Sequence, residues 1–64
     1  MTSAGLFPIT LDDQIAAVRR EIAMRERVYP RQVSAGRLRQ TAADRELAAM
    51  RAVLETLLSL EPGP

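Results

Sequence analysis

Five residues in the middle of this 64-residue chain are equipped to hold an anion: Arg25, Tyr29, Arg31, Arg37 and Arg39. A guanidinium offers paired N–H donors that match a phosphate, and a phenol ring can stack on a base. Together they suggest recognition of a nucleotide-type ligand. A competing reading gives the same residues to structure, with Tyr29 closing the core and Arg25 paired with Glu46 or Glu21. Gly36, between Arg31 and Arg37, either lets a backbone approach a ligand closely or stops a helix.

Catalysis is poorly served. The chain has no His and no Cys, and its carboxylates other than Glu21 and Glu46 fall on solvated faces or in first helical turns. The expectation is a non-enzyme with no catalytic residues, no cofactor and no metal site. Asp12-Asp13 reads as a helix start rather than as ligands for a hard cation.

The basic residues number nine, all of them arginine, for a net charge of +1. That balance argues against a general nucleic-acid coat and against a polybasic membrane anchor. The distribution is uneven. Residues 19–39 hold seven arginines against Glu21 and Glu26, a local +5, and the remainder holds two arginines against six acids, a local −4. If the basic segment is one end of a hairpin, that end attracts anions.

Two amphipathic helices must position these residues. Residues 1–9 read as an extended arm, in which Pro8 pushes Phe7 out of helical geometry; either the arm frays or Phe7 docks on a neighbouring helix or subunit. A first helix is expected over 10–28, capped by Thr10 with Asp13 three residues on, and stopped because Pro30 disfavours the α region at Tyr29. Its apolar series Leu11, Ile15, Val18 and Ile22 continues with 4,3 spacing to Arg25 and Tyr29, a heptad seam with a guanidinium in it. A weaker stripe, Ala17, Met24 and Val28, lies roughly 100–140° around the helix. Two apolar faces imply two packing partners.

The connector 29–40 either forms one short helical turn, with Pro30 first and Gly36 as a left-handed stop, or is irregular. A second helix is expected over 41–60, capped by Thr41 with Asp44, although it can begin a turn earlier. Pro62-Gly63-Pro64 then closes a tail over 61–64. Its apolar side gathers Ala43, Leu47, Met50, Val53, Leu54, Leu57, Leu58 and Leu60, an arc of about 160° that exceeds what one helix covers. Folding back around residues 35 and 36 sets Ile22 near Met50, Val18 near Leu54 and Ile15 near Leu57. The same register makes Arg25 and Glu46 a buried ion pair that would fix register more than it adds stability.

The expected fold is therefore all-α: an antiparallel helical hairpin assembling into a homo-oligomeric helical bundle. Assembly is expected because a chain of this size buries only about 60% of its unfolded surface and has no disulfide or metal to compensate. Phe7, Met24, Val28, Val53, Leu57 and Leu60 are the candidate oligomer interface. A helix-turn-helix contact to DNA is disfavoured, since the second helix carries Asp44, Glu46, Glu55 and Glu61 against two arginines. The start Met1-Thr2-Ser3-Ala4-Gly5 lacks a positive n-region, and no stretch approaches the ~18 apolar residues of a membrane span. The expectation is a cytoplasmic protein with no membrane partner.

The run Arg20-Glu21-Ile22-Ala23-Met24-Arg25-Glu26-Arg27-Val28-Tyr29-Pro30, with Val33, Gly36-Arg37-Leu38 and the segment from Ala43 to Leu57, resembles a family of short phage and prophage proteins. Their shared pattern is R-E-I-x-x-R-x-x-V-Y-P-x-x-V-x-x-G-R, and the similarity spans roughly residues 11–58. It departs at Arg39, where such sequences tend to carry Ser or Thr. The resemblance implies a phage origin, hence the cytoplasm of a host bacterium, and no particular activity. By analogy of size and charge, two roles follow as expectations. One is an oligomeric counter-defence protein that sequesters a nucleotide second messenger between subunits. The other is an interaction module that inhibits a host protein or serves as a structural accessory.

Overall fold

A computed structural model of the chain describes residues 7–62. These hold two α-helices and no strand: α1, Leu11–Ser34, and α2, Gln40–Ser59, packed against each other as a hairpin. Residues 1–6 of the expected arm and 63–64 of the expected tail lie outside the described residues. Within the arm, Phe7 is 72% exposed and is not buried against either helix.

The start of α1 follows its sequence. Thr10 is extended, its hydroxyl accepts from the Asp13 N–H at 3.0 Å, and the Asp13 carboxylate accepts from the Thr10 N–H at 3.1 Å. This reciprocal pair satisfies donors that every helix start leaves without partners, and it places Asp12 and Asp13 at the positive end of the helix dipole.

The end of α1 corrects the expectation of a stop near Val28. The helix runs through Pro30 to Ser34. An interior proline removes one N–H bond, here to the Glu26 carbonyl, and costs about 3 kcal/mol. Against this, Tyr29 and Val33 extend the series Leu11, Ile15, Val18 and Ile22 in phase, and both are half-buried. Fully burying one such side chain is worth roughly 1.5–3 kcal/mol, so two partly buried ones match the proline penalty. Tertiary burial overrides local preference.

Termination comes at Gly36, as its left-handed potential suggests. Gly36 has φ 74°, its N–H donates to the Val33 carbonyl at 3.0 Å, and the Arg37 N–H reaches back to the Gln32 carbonyl at 2.9 Å. These are the two bonds of a Schellman cap. A Cβ at Gly36 would meet nothing within 4 Å, so glycine is required there by its backbone angle and not by space.

α2 starts two residues earlier than a Thr41 cap would place it. Arg39 is the N-cap, extended at φ −75° and ψ 144°, with no side-chain bond to the helix and no acid in the first turn. Asp44 accepts from the Gln40 side-chain amide at 2.9 Å instead of joining a capping box. The helix ends at Ser59, with Leu60 as C-cap and its N–H on the Leu57 carbonyl. Pro62 follows.

Lengthening α1 by six residues also moves the register. The cross-helix ion pair among the described residues joins Arg51 to Glu26 at 2.6 Å, and Tyr29, Pro30 and Val33 share a cleft with Ala43 and Leu47. The pairing of Arg25 with Glu46 is not formed. Glu46 is exposed, and Arg25 bonds within its own helix to Glu21. Relative to the expected pairing, α2 has slid by about one helical turn, because the turn falls at 35–39 and not at 29–40. Ile15, Ile22 and Ala43 are buried, and Leu47, Met50, Leu54, Leu57 and Leu58 are half-buried along the inner side of α2.

Candidate functional site

The five residues expected to hold an anion do not form one site. Tyr29 and Arg31 are two residues apart on a continuous helix, hence about 200° apart around its axis. An irregular connector would have let them converge; a helix through Pro30 forbids it.

Arg25 and Tyr29 stay together, one turn apart on the side of α1 near α2. The Arg25 guanidinium donates to the Glu21 carboxylate and, at 3.3 Å, to the Glu21 carbonyl, and it is only 24% exposed. Its pKa is raised above the ordinary arginine value, first by the hydrogen bond to Glu21 and further by the Tyr29 hydroxyl, with burial opposing. Arg25 thus carries its counterion with it. Of the structural alternatives, the Glu21 pairing is the one the fold adopts.

Tyr29 lines a cleft of about 160 Å³ between the helices, walled by Pro30, Val33, Ala43 and Leu47. Its polar rim is Glu26, Gln40 and Asp44. Glu26 is bonded to Arg51, and Asp44 to Gln40. Glu26 is compensated by Arg51 and Asp44 by no cation among the described ion pairs, so the cleft lining is net negative and Tyr29 is badly placed to stack the base of a nucleotide.

Arg31 and Arg37 do come together. With Val28 and Gln32 they line an open depression of about 310 Å³ on the other side of α1, and no carboxylate is among its lining residues. Arg37 is brought there by the cap at Gly36, which turns the chain back over the last turn of α1. Among the described residues neither arginine has an ion-pair partner. Arg39 stands apart as the N-cap of α2, where a cation faces the positive end of a helix dipole.

The residues expected at an oligomer interface also divide. Phe7, Val53 and Leu60 are exposed, at 72%, 46% and 63%. Met24 and Val28 are half-buried, Val28 at the edge of the arginine depression. Leu57 belongs instead to the inner side of α2, in phase with Ala43, Leu47, Met50 and Leu54. The Arg51–Glu26 bond was not anticipated, since it depends on the slid register. The phase of Val33 with Tyr29 was the available signal for it.

Among the described residues no group of His, Cys, Asp or Glu is arranged to hold a metal ion, and no helix is long and apolar enough to cross a membrane. Compared against protein-family models, curated proteins and solved structures, the chain matches none of them.

Proposed function

We propose that this chain is a non-enzymatic binding protein whose basic turn end holds a phosphate-bearing, nucleotide-type ligand at Arg31 and Arg37. The supporting observation is the contrast between two depressions among the described residues. The one with Arg31 and Arg37 has no carboxylate in its lining, and the one with Tyr29 has two. Two guanidinium groups beside one hollow can grip adjacent phosphate oxygens, and Gln32 adds an amide donor. The negative end of the α1 dipole lies close by and opposes an anion, so the two guanidinium charges must outweigh it. Tyr29 has no part in this reading. The use we propose, sequestering a nucleotide signal of host defence, rests on an analogy of size and charge with small phage proteins.

The test is calorimetry against cyclic dinucleotides, cyclic trinucleotides, cyclic ADP-ribose isomers and pyrophosphate. Binding should weaken more than tenfold in the Arg31→Ala/Arg37→Ala double variant at unchanged helicity. Absence of heat for every ligand at millimolar concentration refutes the reading.

A second reading, an interaction module for a host or virion protein, draws on the exposure of Phe7, Ile9 and Leu60. A stoichiometric partner lost in Met24→Glu but retained in Arg31→Ala would favour it.

A further inference from the structure

α2 carries two heptad seams, and α1 covers only one. Ala43, Leu47, Met50, Leu54 and Leu57 repeat with 4,3 spacing, and all are buried or half-buried against α1. A second 4,3 series runs down the outer side of the same helix: Ala42, Glu46, Ala49, Val53, Thr56 and Leu60. All six of these are exposed. The two seams lie roughly 80–100° apart around α2, so α1 leaves the outer one open along about 27 Å of helix. Only Ile15, Ile22 and Ala43 are buried hydrophobics in the hairpin, a small core for a chain without disulfides.

We infer that the outer seam of α2 is the contact surface for a second copy of this chain, packed antiparallel along the same seam. The occupant and its direction both follow from the order of residues. The six positions are symmetric about residue 51. In an antiparallel pair Ala42 therefore meets Leu60, Ala49 meets Val53 and Glu46 meets Thr56. Each small side chain faces a large one, which is how facing layers interdigitate without voids. In a parallel pair every residue meets its own counterpart. Ala42 and Ala49 then leave gaps against alanine, and two Glu46 carboxylates are forced together within the seam.

Charge points the same way. Along α2 the turn-end half is balanced, with Arg39 and Arg45 against Asp44 and Glu46, and the open-end half beyond Arg51 is acidic, with Glu55 and Glu61. Antiparallel docking sets the balanced half of one α2 beside the acidic half of the other, with Glu61 level with Thr41 and so about 3 Å along the axis from Arg39. Parallel docking stacks like on like. An interface of this kind is a two-fold, self-complementary one. Its geometry also places the two Arg31–Arg37 depressions at opposite ends, so each chain offers its own anion site and none is shared.

The experiment uses the absence of native cysteine. Ala49→Cys and Val53→Cys chains are oxidised separately and as an equimolar mixture, alongside sedimentation equilibrium of the unmodified protein, Val53→Arg and Glu46→Leu. The inference expects a dimer for the unmodified chain at micromolar concentration. The mixed 49–53 disulfide should dominate over either same-residue disulfide. Dissociation should be at least tenfold easier in Val53→Arg and about tenfold harder in Glu46→Leu, which removes the carboxylate from the seam. Predominant same-residue disulfides overturn the direction. A monomer at all concentrations for both the unmodified chain and Glu46→Leu overturns the contact itself. Neither result bears on ligand binding at Arg31 and Arg37, which calorimetry reads separately.

Discussion

Replacing Arg39 by aspartate should stabilise this protein, and the size of the gain can be worked from the start of α2. Arg39 occupies the N-cap with extended backbone angles, yet it offers no acceptor to the free N–H groups of the first turn. Its charge also sits at the positive end of the helix dipole, and the first turn holds no acid to offset it. An aspartate oxygen can accept from the N–H of Thr41 or Ala42 without any change of backbone. A side-chain cap is worth about 1 kcal/mol over a residue that has none, and reversing the sign of charge adds a few tenths more. For a domain of this size a change of 1 kcal/mol moves the melting temperature by roughly 4–8 °C. The assay is thermal unfolding followed by circular dichroism, at one fixed chain concentration so that the proposed self-association does not shift the midpoint between variants. Arg39→Asp should melt at least ~4 °C higher, and Thr41→Ala should change stability by less than ~0.5 kcal/mol, because Thr41 lies inside the first turn. The opposite pattern, a costly Thr41→Ala and a neutral Arg39→Asp, would place the helix start at Thr41 and refute the reasoning.

Two further substitutions probe α1. Pro30→Ala restores an N–H opposite the Glu26 carbonyl and relieves the ring clash, while giving up the entropy that proline removes from the unfolded chain. A net gain of roughly 1–2 kcal/mol is expected by urea unfolding, and a loss would mean that α1 does not continue through residue 30. At the other end, the two bonds from Thr10 hold the Asp13 carboxyl below its usual value. A carboxyl whose pKa is lower in the folded state stabilises the fold above its unfolded value, about pH 4, and that contribution is lost as pH falls through the folded value. Asp13→Asn, which removes the titrating carboxyl, should therefore flatten the fall in stability below about pH 4, as read from melting curves between pH 2 and pH 7. An unchanged slope would remove the capping box from the account.

Much of the local structure is legible in the residues themselves. Thr10 and Asp13 announce a helix start because their side chains and the N–H groups they satisfy lie within three residues. Gly36 announces a stop because only the absence of a Cβ makes its backbone angle cheap. The two helices follow from apolar spacing, and the second apolar side of α2 is visible in the width of its leucine arc. These signals are short-range, so no knowledge of the partner element is needed to interpret them.

Pro30 shows where that legibility ends. Its local preference is to end a helix, and the outcome rests on whether Tyr29 and Val33 find α2 to pack against. The candidate site depends on the same event. Once α1 continues, Tyr29 is carried to a cleft rimmed by Glu26 and Asp44, Arg25 keeps Glu21, and only Arg31 and Arg37 are left together. A one-turn slide between helices is not encoded in either helix alone. It is decided by the sum of many small burials across the contact.

The sequence by itself determined a small, helical, arginine-rich chain without histidine or cysteine, with two amphipathic segments, a capped start and a glycine stop. Those properties are set by composition and by interactions within a few residues. Only the tertiary structure decided which arginines share a hollow, which acid each cation meets, and which of the two seams on α2 stays open. Each depends on the rotational phase and register of one helix against the other, and that phase is fixed by packing between residues far apart in the chain.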